Sequence, residues 1–307
     1  MNPVELPWVH DQGGGFTAKQ ARSAVGWEQI QRWLDDELIV RESNRFYRLV
    51  GAPGDTRSRI LRAQARLGEP LVACHTTAAE LHGFGVLPDP NLHVTTATGR
   101  SIRGPEGVVV HQLVPRAPIA RVDGLHVIDA ADAAVDVAAG GRPIDVLAVL
   151  DAARRAGVSE DRLRRAVDGA SRQRGILVVR DLATQASPLP ESPMESRTRY
   201  RILEAGLPPP ELQVKVRVSG GGTRRLDHGW RRARVGLEFD GQDFHAGDGS
   251  LDRDRHKQAD LLAAGWTVIY VTASDVYRMP ERFTDPLRVL LGRRGCLTTA
   301  TVQPAAS

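Results

Sequence analysis

Cysteine is scarce in this chain of 307 residues, since Cys74 and Cys296 are its only two. Two cysteines so far apart predict neither a disulfide framework nor a thiolate zinc site within one chain. The start, MNPVELPWVHDQ, lacks a basic and then apolar signal segment. No run approaches the roughly 18 apolar residues that a membrane span needs. These absences predict a reduced, soluble, cytoplasmic protein.

A strong excess of either charge is also missing. The 41 Lys and Arg residues face 37 Asp and Glu residues, which gives a net charge of +4. This balance permits a nucleic-acid partner without requiring one. The length exceeds that of one ordinary domain and predicts an α+β multidomain protein. We expect an N-terminal domain at residues 1–52, a mixed α/β middle domain at 53–187, a C-terminal domain at 188–295 and a flexible tail at 296–307.

Residues 16 to 50 read FTAKQARSAVGWEQIQRWLDDELIVRESNRFYRLV. Thr17 is a candidate N-cap for a short helix ending near Gly26, and a second amphipathic helix and two short strands follow. Two helices and a hairpin predict a winged helix-turn-helix. The segment resembles the N-terminal domain of AbiEi-type antitoxins, which implies DNA binding, autoregulation and a cognate toxin protein as a possible partner.

The second helix of this segment is acidic, which opposes contact with phosphates. Arg32 is its candidate DNA-binding residue, against four acids: Glu28, Asp35, Asp36 and Glu37. Two interpretations therefore stay open, a DNA-binding module and a module for packing or protein contact.

The middle region predicts little chemistry. CHTTAAELHGFG (74–85) and LHVTTA (92–97) also resemble the AbiEi family. His75 and His82 are seven residues apart and could share a helix face, but without a third ligand ordinary helix packing is favoured. The stretches DVLAVLDAARRAG (145–157) and EDRLRRAVDGASRQRG (160–175) predict amphipathic helices whose charges form solvated faces.

After the linker SPLPESP (187–193), the pattern predicts elements in the order α-β-β-β-α-β. If the turn between the second and third strands is centred on Arg232 and Ala233, Asp227 faces Glu238, with Asp240 on the same face. Carboxylates packed together repel unless they are solvated or hold a cation. Mg²⁺ accepts such hard oxygen ligands, so these three residues are candidate metal ligands.

The surroundings of these acids are basic. Residues 197 to 234 contain ten Lys or Arg and three acids, which is a local balance of +7. A cationic rim around a metal site suits a polyanionic substrate, although a soluble arginine-rich edge is the simpler explanation. The candidate nucleic-acid-binding residues here are Arg224, Arg225, Arg231, Arg232 and Arg234.

Four segments in order, SPMESRTRYRILEAGLPPPELQ, RRLDHGW, GLEFDGQDFH and DRDRHKQADLLAAGWTVIYVT, resemble the domain of unknown function 559. That domain is related to the very-short-patch-repair endonucleases of the PD-(D/E)xK superfamily. The resemblance covers about residues 190 to 290 and implies a restriction-endonuclease-like core. It implies Asp227 and Glu238 as the metal-binding acids.

The resemblance also implies further catalytic candidates: Glu195 in the first helix, and His245 with Asp254 after the strands. Glu195 has an alternative role in a capping box with Ser192. The superfamily usually has a lysine where this chain has Asp240, and Lys257 is the candidate replacement.

Two functions from different classes follow. The first is a Mg²⁺- or Mn²⁺-dependent endonuclease that hydrolyses DNA phosphodiesters. The second is a non-catalytic AbiEi-type antitoxin or transcriptional regulator that keeps the nuclease fold for binding only.

Overall fold

The computed structural model describes residues 2–241 and 250–297. The α-helices are α1 (Pro7–Asp11), α2 (Ala18–Val25), α3 (Trp27–Asp35), α4 (Thr56–Leu67), α5 (His75–Leu81), α6 (Ala130–Gly140), α7 (Pro143–Arg155), α8 (Glu160–Gly169), α9 (Ile176–Ala183), α10 (Pro193–Glu204), α11 (Ser250–Ala263), α12 (Ala273–Arg278) and α13 (Glu281–Arg293). The strands are β1 (Gly15–Thr17), β2 (Ile39–Ser43), β3 (Phe46–Leu49), β4 (Leu71–Ala73), β5 (Leu92–Thr96), β6 (Val108–His111), β7 (Ala120–Val122), β8 (Leu125–Val127), β9 (Glu211–Arg217), β10 (Thr223–Trp230), β11 (Val235–Phe239) and β12 (Thr267–Val271).

The protein is α+β and contains more than one compact unit, as predicted. Its contacts define two units. The first comprises the chain up to Gly140 together with Val158–Ile176, and the second comprises Gly141–Gly157 and the chain from Leu177 onward. By this grouping α7, which packs against α10, belongs to the second unit. The predicted bounds of the middle domain, 53–187, stay a prediction. The separate boundary at residue 52 stays a prediction.

The N-terminal part of the first unit is a three-stranded sheet, in the order β1-β3-β2, with α2 and α3. Thr17 begins α2 with a capping box to Gln20, and Gly26, at a φ of 77°, separates the two helices. Ile30 and Trp33 of α3 are buried beside Phe16. The two predicted helices and the hairpin are confirmed, and β1 is an additional strand.

The rest of the first unit is built on a five-stranded sheet in the order β6-β5-β4-β8-β7. The strands pair in both parallel and antiparallel directions, so the sheet is mixed. Helix α6 is rich in alanine and is buried along most of its length. The small alanine side chains allow neighbouring elements to pack closely against it. Helix α8 packs against α6.

The second unit contains a four-stranded sheet in the order β12-β11-β10-β9. The β9–β10 hairpin turns at the glycine run, β10 and β11 are antiparallel, and β12 returns parallel to β11 after α11. The predicted element order is confirmed. A core of Ile202, Trp230, Leu237 and Phe283 lies between this sheet and its helices.

The prediction of a solvated charged face was wrong for α7. Asp145 and Asp151 are buried, and they pair with Arg197 and Arg199 of α10. A buried carboxylate needs a charged partner, and α10 supplies one for each acid. These ion pairs attach α7 to the second unit.

Within residues 2–241 and 250–297, no helix is both long enough and apolar enough to cross a membrane.

Candidate functional site

The last paired residues of β10 and β11 are His228 and Leu237. The next residue along each strand is an acid, Asp227 on β10 and Glu238 on β11. The predicted register, with its turn at Arg232 and Ala233, is therefore confirmed up to that pair. The Asp227 carboxylate accepts a hydrogen bond from the backbone N–H of Phe239 at 3.0 Å. This bond ties the acid of one strand to the backbone beside Glu238.

Lys257 of α11 joins this acid pair. Its Nζ atom lies 2.5 Å from Oε1 of Glu238, whose side chain is 9% exposed, whereas that of Lys257 is 32% exposed. Lys257 also lowers the pKa of Asp227, but burial outweighs it and raises that pKa above its ordinary value. The crossover helix thus delivers a cation to the carboxylates, as the sequence predicted.

Glu195 is buried in the first turn of α10. Ser192 caps the helix by accepting from the Glu195 N–H at 3.2 Å. The Glu195 carboxylate accepts from the Glu191 N–H at 2.9 Å and from the Gln213 side chain at 2.7 Å. Burial raises the pKa of Glu195, and the nearby Asp227 adds to the rise. Glu195 therefore combines a structural role at the helix start with a place beside the acid pair.

The remaining predicted site residues are less informative. Asp240 lies just after β11, is exposed, and donates its backbone N–H to Val271 O at 2.8 Å. His245 lies outside the described residues, and so does the side chain of Asp254. Among the described residues, the one group of three or more Asp, Glu, His or Cys side chains with ligand atoms within 4.8 Å of one another is elsewhere, in the first unit. Asp227, Glu238 and Asp240 are thus not gathered as a three-acid cluster.

Several arginines near the acids already have carboxylate partners. Arg224 pairs with Asp260 at 2.5 Å, and Arg225 pairs with Glu191 through two bonds of 2.6 Å. Arg231 pairs with Glu211 at 2.7 Å. Partners such as Asp260 and Glu191 fall outside the stretch that gave the count of +7, so the local positive charge is smaller than that count.

Arg232 and Arg234, by contrast, lie exposed in the β10–β11 turn. All five arginines stay candidate DNA-binding residues.

In the N-terminal module, Arg32 lies 3.7 Å from Glu28 and bonds to Gln29. A groove beside α2 and the β2–β3 turn is more basic than α3. Its lining includes four cations and no carboxylate: Lys19, Arg22, Arg45 and Arg66.

A second candidate site, which the sequence did not indicate, lies in the first unit. The ligand atoms of Cys74, His75 and His111 lie within 4.8 Å of one another. Helix packing was the predicted role of both His75 and His82. The ring of His75 instead contacts the rings of His93 and His111. His82 has an ordinary packing role, with its Nε2 atom 2.8 Å from Ile128 O. The prediction that no thiolate metal site forms considered only pairs of cysteines, whereas here one cysteine lies beside two histidines, a group that could hold an ion.

Cys74 is buried, and His75 and His111 are half-buried. Burial lowers the pKa of His75 and of His111 to about 4, with a smaller contribution from the neighbouring histidines. Burial also raises the pKa of the Cys74 thiol. Both rings are therefore neutral near pH 7. The adjacent Cys74 and His75 were visible in the sequence, but nothing local indicated that His111 would join them.

A search of family models finds no match for this chain. Two curated proteins of Mycobacterium tuberculosis are similar to it, the uncharacterized proteins MT2308 of strain CDC 1551 and Rv2248 of strain H37Rv. Each is 35% identical over 229 residues, which covers 74% of this chain and 84% of the relative.

Among solved structures, the crystal structure of the RV2827C protein from Mycobacterium tuberculosis is similar over 68% of this chain and 85% of its own. Its TM-score is 0.39 at 16% sequence identity, which does not establish a common fold. The curated relatives do establish the family: this chain belongs to the family of the uncharacterized mycobacterial proteins Rv2248 and MT2308.

Proposed function

We propose that this protein is a DNA-binding, metal-dependent endonuclease, and that its second unit is a restriction-endonuclease-like core that hydrolyses phosphodiesters. The observation that carries the proposal is the meeting of Asp227, Glu238 and Lys257 beside β10 and β11, with Lys257 2.5 Å from Glu238. Two acids can hold a divalent cation, and a lysine can offset the charge that develops on a phosphate, which are contributions that metal-dependent phosphodiester hydrolysis uses.

The acid pair suits a hard divalent cation. Mg²⁺ or Mn²⁺ takes oxygen ligands, and Mg²⁺ is commonly held by only one or two carboxylates, with water and phosphate oxygens completing its coordination. Asp227 and Glu238 would supply those carboxylates. When bound, the ion would activate water and offset charge on the phosphate. Asp240 is exposed next to the pair, where it can orient water without belonging to the same cluster.

Lys257 and Glu195 have separate roles in this proposal. The Lys257 ammonium holds the Glu238 carboxylate and places positive charge where the phosphate becomes more negative in the transition state. Glu195, buried and with a raised pKa, holds Gln213 of the neighbouring strand and can exchange a proton near Asp227. His245 remains a candidate for proton transfer to the leaving group.

The test is cleavage by the full chain of duplex, mismatched, branched and single-stranded DNA with Mg²⁺ or Mn²⁺. We expect Asp227→Asn and Glu238→Gln to abolish cleavage while DNA binding in a gel is kept, because the arginines are intact. Glu211→Gln is the matched control, since Glu211 is an exposed acid of the same sheet that pairs with Arg231. If wild-type protein in high excess cuts none of these substrates with either ion, the catalytic proposal fails.

A second candidate function, a non-catalytic AbiEi-type regulator, is favoured by the basic groove of the N-terminal module. In that case α2, α3 and the hairpin act as a winged helix-turn-helix, and DNA contacts come from Lys19 and Arg45 rather than from α3. Replacing either residue by alanine should weaken DNA binding in EDTA more than Arg32→Ala does. Equal effects of the three variants would contradict this role for the groove.

A further inference from the structure

The cluster around Cys74 lies in the first unit and has no part in the proposed nuclease chemistry. It is assembled from separate elements: Cys74 follows β4, His75 begins α5, and His111 ends β6. The ligand atoms of these three residues lie within 4.8 Å of one another. In a tetrahedral zinc site with bonds of about 2.0–2.3 Å, neighbouring ligand atoms are roughly 3.5 Å apart. The three side chains are thus close to the spacing of a metal site.

The backbone at the cluster is strained. His75 has a φ of 47°, in the left-handed region that side chains with a Cβ atom rarely adopt. Strain of this kind costs free energy and occurs often at functional sites. Cys74 is fully buried, and its ligand atom lies within 4.8 Å of that of the adjacent His75. His75 and His111 approach with their ring centroids 4.1 Å apart.

A chain of hydrogen-bonding contacts engages one nitrogen of His111. The Asp89 carboxylate lies 2.9 Å from Nε2 of His93, and Nδ1 of His93 lies 2.8 Å from Nε2 of His111. Because a carboxylate only accepts, Nε2 of His93 donates to Asp89. The contact between Nδ1 of His93 and Nε2 of His111 then engages one nitrogen of His111 and leaves its Nδ1 as the nitrogen that can face an ion. Carboxylate-to-histidine contacts of this kind orient metal-binding histidines.

We propose that Cys74, His75 and His111 bind a thiophilic divalent transition-metal ion of the Zn²⁺ class, with Asp89 and His93 orienting His111. One thiolate and two imidazoles are soft and borderline ligands that select such an ion over Mg²⁺. Three protein ligands leave a fourth position for water or a small molecule, as in zinc sites that are not purely structural. On binding, Cys74 gives up its thiol proton to solvent and the sulfur becomes a ligand.

The test uses the purified, reduced full chain and Co²⁺ as a spectroscopic probe, with Zn²⁺ as competitor. We expect one equivalent of Co²⁺ to produce a thiolate-to-cobalt charge-transfer absorption that Zn²⁺ abolishes. Cys74→Ser should remove this absorption, and His111→Gln should weaken Co²⁺ binding at least tenfold. Asp89→Asn, which leaves all three ligands in place and acts on His111 only through His93, should weaken Co²⁺ binding less than His111→Gln does.

Matched controls separate this site from other metal ligands of the chain. Cys296→Ser removes the other cysteine, and His126→Gln removes a histidine of β8, in the same sheet. Both variants should bind Co²⁺ like the wild type. Absence of the charge-transfer band in wild-type protein, its persistence in Cys74→Ser, or equal binding by wild type and His111→Gln would each overturn the proposal. Circular dichroism of each variant verifies that it is folded.

Discussion

Asp151 of α7 should be one of the most sensitive positions of the second unit. Its carboxylate is fully buried and accepts hydrogen bonds from the Ser187 N–H at 2.8 Å, from Ser196 Oγ at 2.7 Å and from Arg199 Nη2 at 2.8 and 2.9 Å. Arg199 is itself buried. The substitution Asp151→Asn keeps the size of the side chain but removes the charge that compensates the guanidinium.

Breaking a buried pair from one side costs about 3–5 kcal/mol, because an uncompensated charge stays in the interior. An exposed pair such as Arg164 with Asp161 contributes only about 0–1 kcal/mol. We therefore expect Asp151→Asn to lower the free energy of unfolding of the second unit by about 3–5 kcal/mol and Asp161→Asn to change stability by less than about 1 kcal/mol.

Urea unfolding followed by circular dichroism measures both variants. For an m-value of about 2–3 kcal/mol/M, the expected loss moves the midpoint of the affected transition by roughly 1–2.5 M. The double variant Asp151→Leu with Arg199→Met should recover part of the loss, since hydrophobic replacement of a buried pair is often neutral. If Asp151→Asn costs no more than Asp161→Asn, the pair does not hold α7 in place as argued.

Three further predictions concern the candidate nuclease site. Burial raises the pKa of Asp227 in the folded protein, so ionisation of this carboxyl destabilises the fold as the pH rises above its unfolded pKa of about 4. Asp227→Asn should therefore raise the Tm at pH 7. In a pH series of melting curves, this gain should disappear as the pH falls to about 4. Lys257→Met leaves the buried Glu238 carboxylate without its cation, so it should cost up to about 3–5 kcal/mol in urea unfolding and should also reduce the cleavage rate of the folded variant by about 10²–10³; a rate equal to that of the wild type in the folded variant would indicate a structural role only. In a salt titration of DNA binding, Arg232→Ala should lower the slope of log K against log salt concentration by about one. Arg225→Ala should change this slope less, because Arg225 is already paired with Glu191.

Local sequence signals predicted the parts of the fold that depend on local chemistry. Thr17 and Ser192 marked the starts of α2 and α10 because their hydroxyls cap the helix N–H groups. The position of one turn was enough to predict the pairing of β10 with β11, because antiparallel register follows from the turn. Lys257 was found because its spacing on the helix after Asp254 suggested a replacement for the missing lysine.

Contacts between distant segments were not predictable in this way. Asp145 and Arg197 are 52 residues apart, and each alone looks like an ordinary charge of a solvated helix face. Counting charge along one stretch also failed, because Arg224 and Arg225 have partners outside the stretch. Charge patterns in a sequence indicate how many ions there are, but folding decides which of them are neutralised.

The two candidate metal sites differ in the softness of their ligands, and this difference makes the metal a diagnostic. Asp227 and Glu238 offer only oxygen, which suits Mg²⁺ or Mn²⁺, whereas the Cys74 cluster offers sulfur and nitrogen, which favour ions later in the first transition series. Excess Zn²⁺ can occupy both kinds of site. A response seen only with Zn²⁺ therefore does not show which of the two sites binds the ion. A response to Mn²⁺ that depends on Glu238, together with a Co²⁺ spectrum that depends on Cys74, would separate the chemistry of the second unit from that of the first. Because the ligands belong to different units, neither result can substitute for the other.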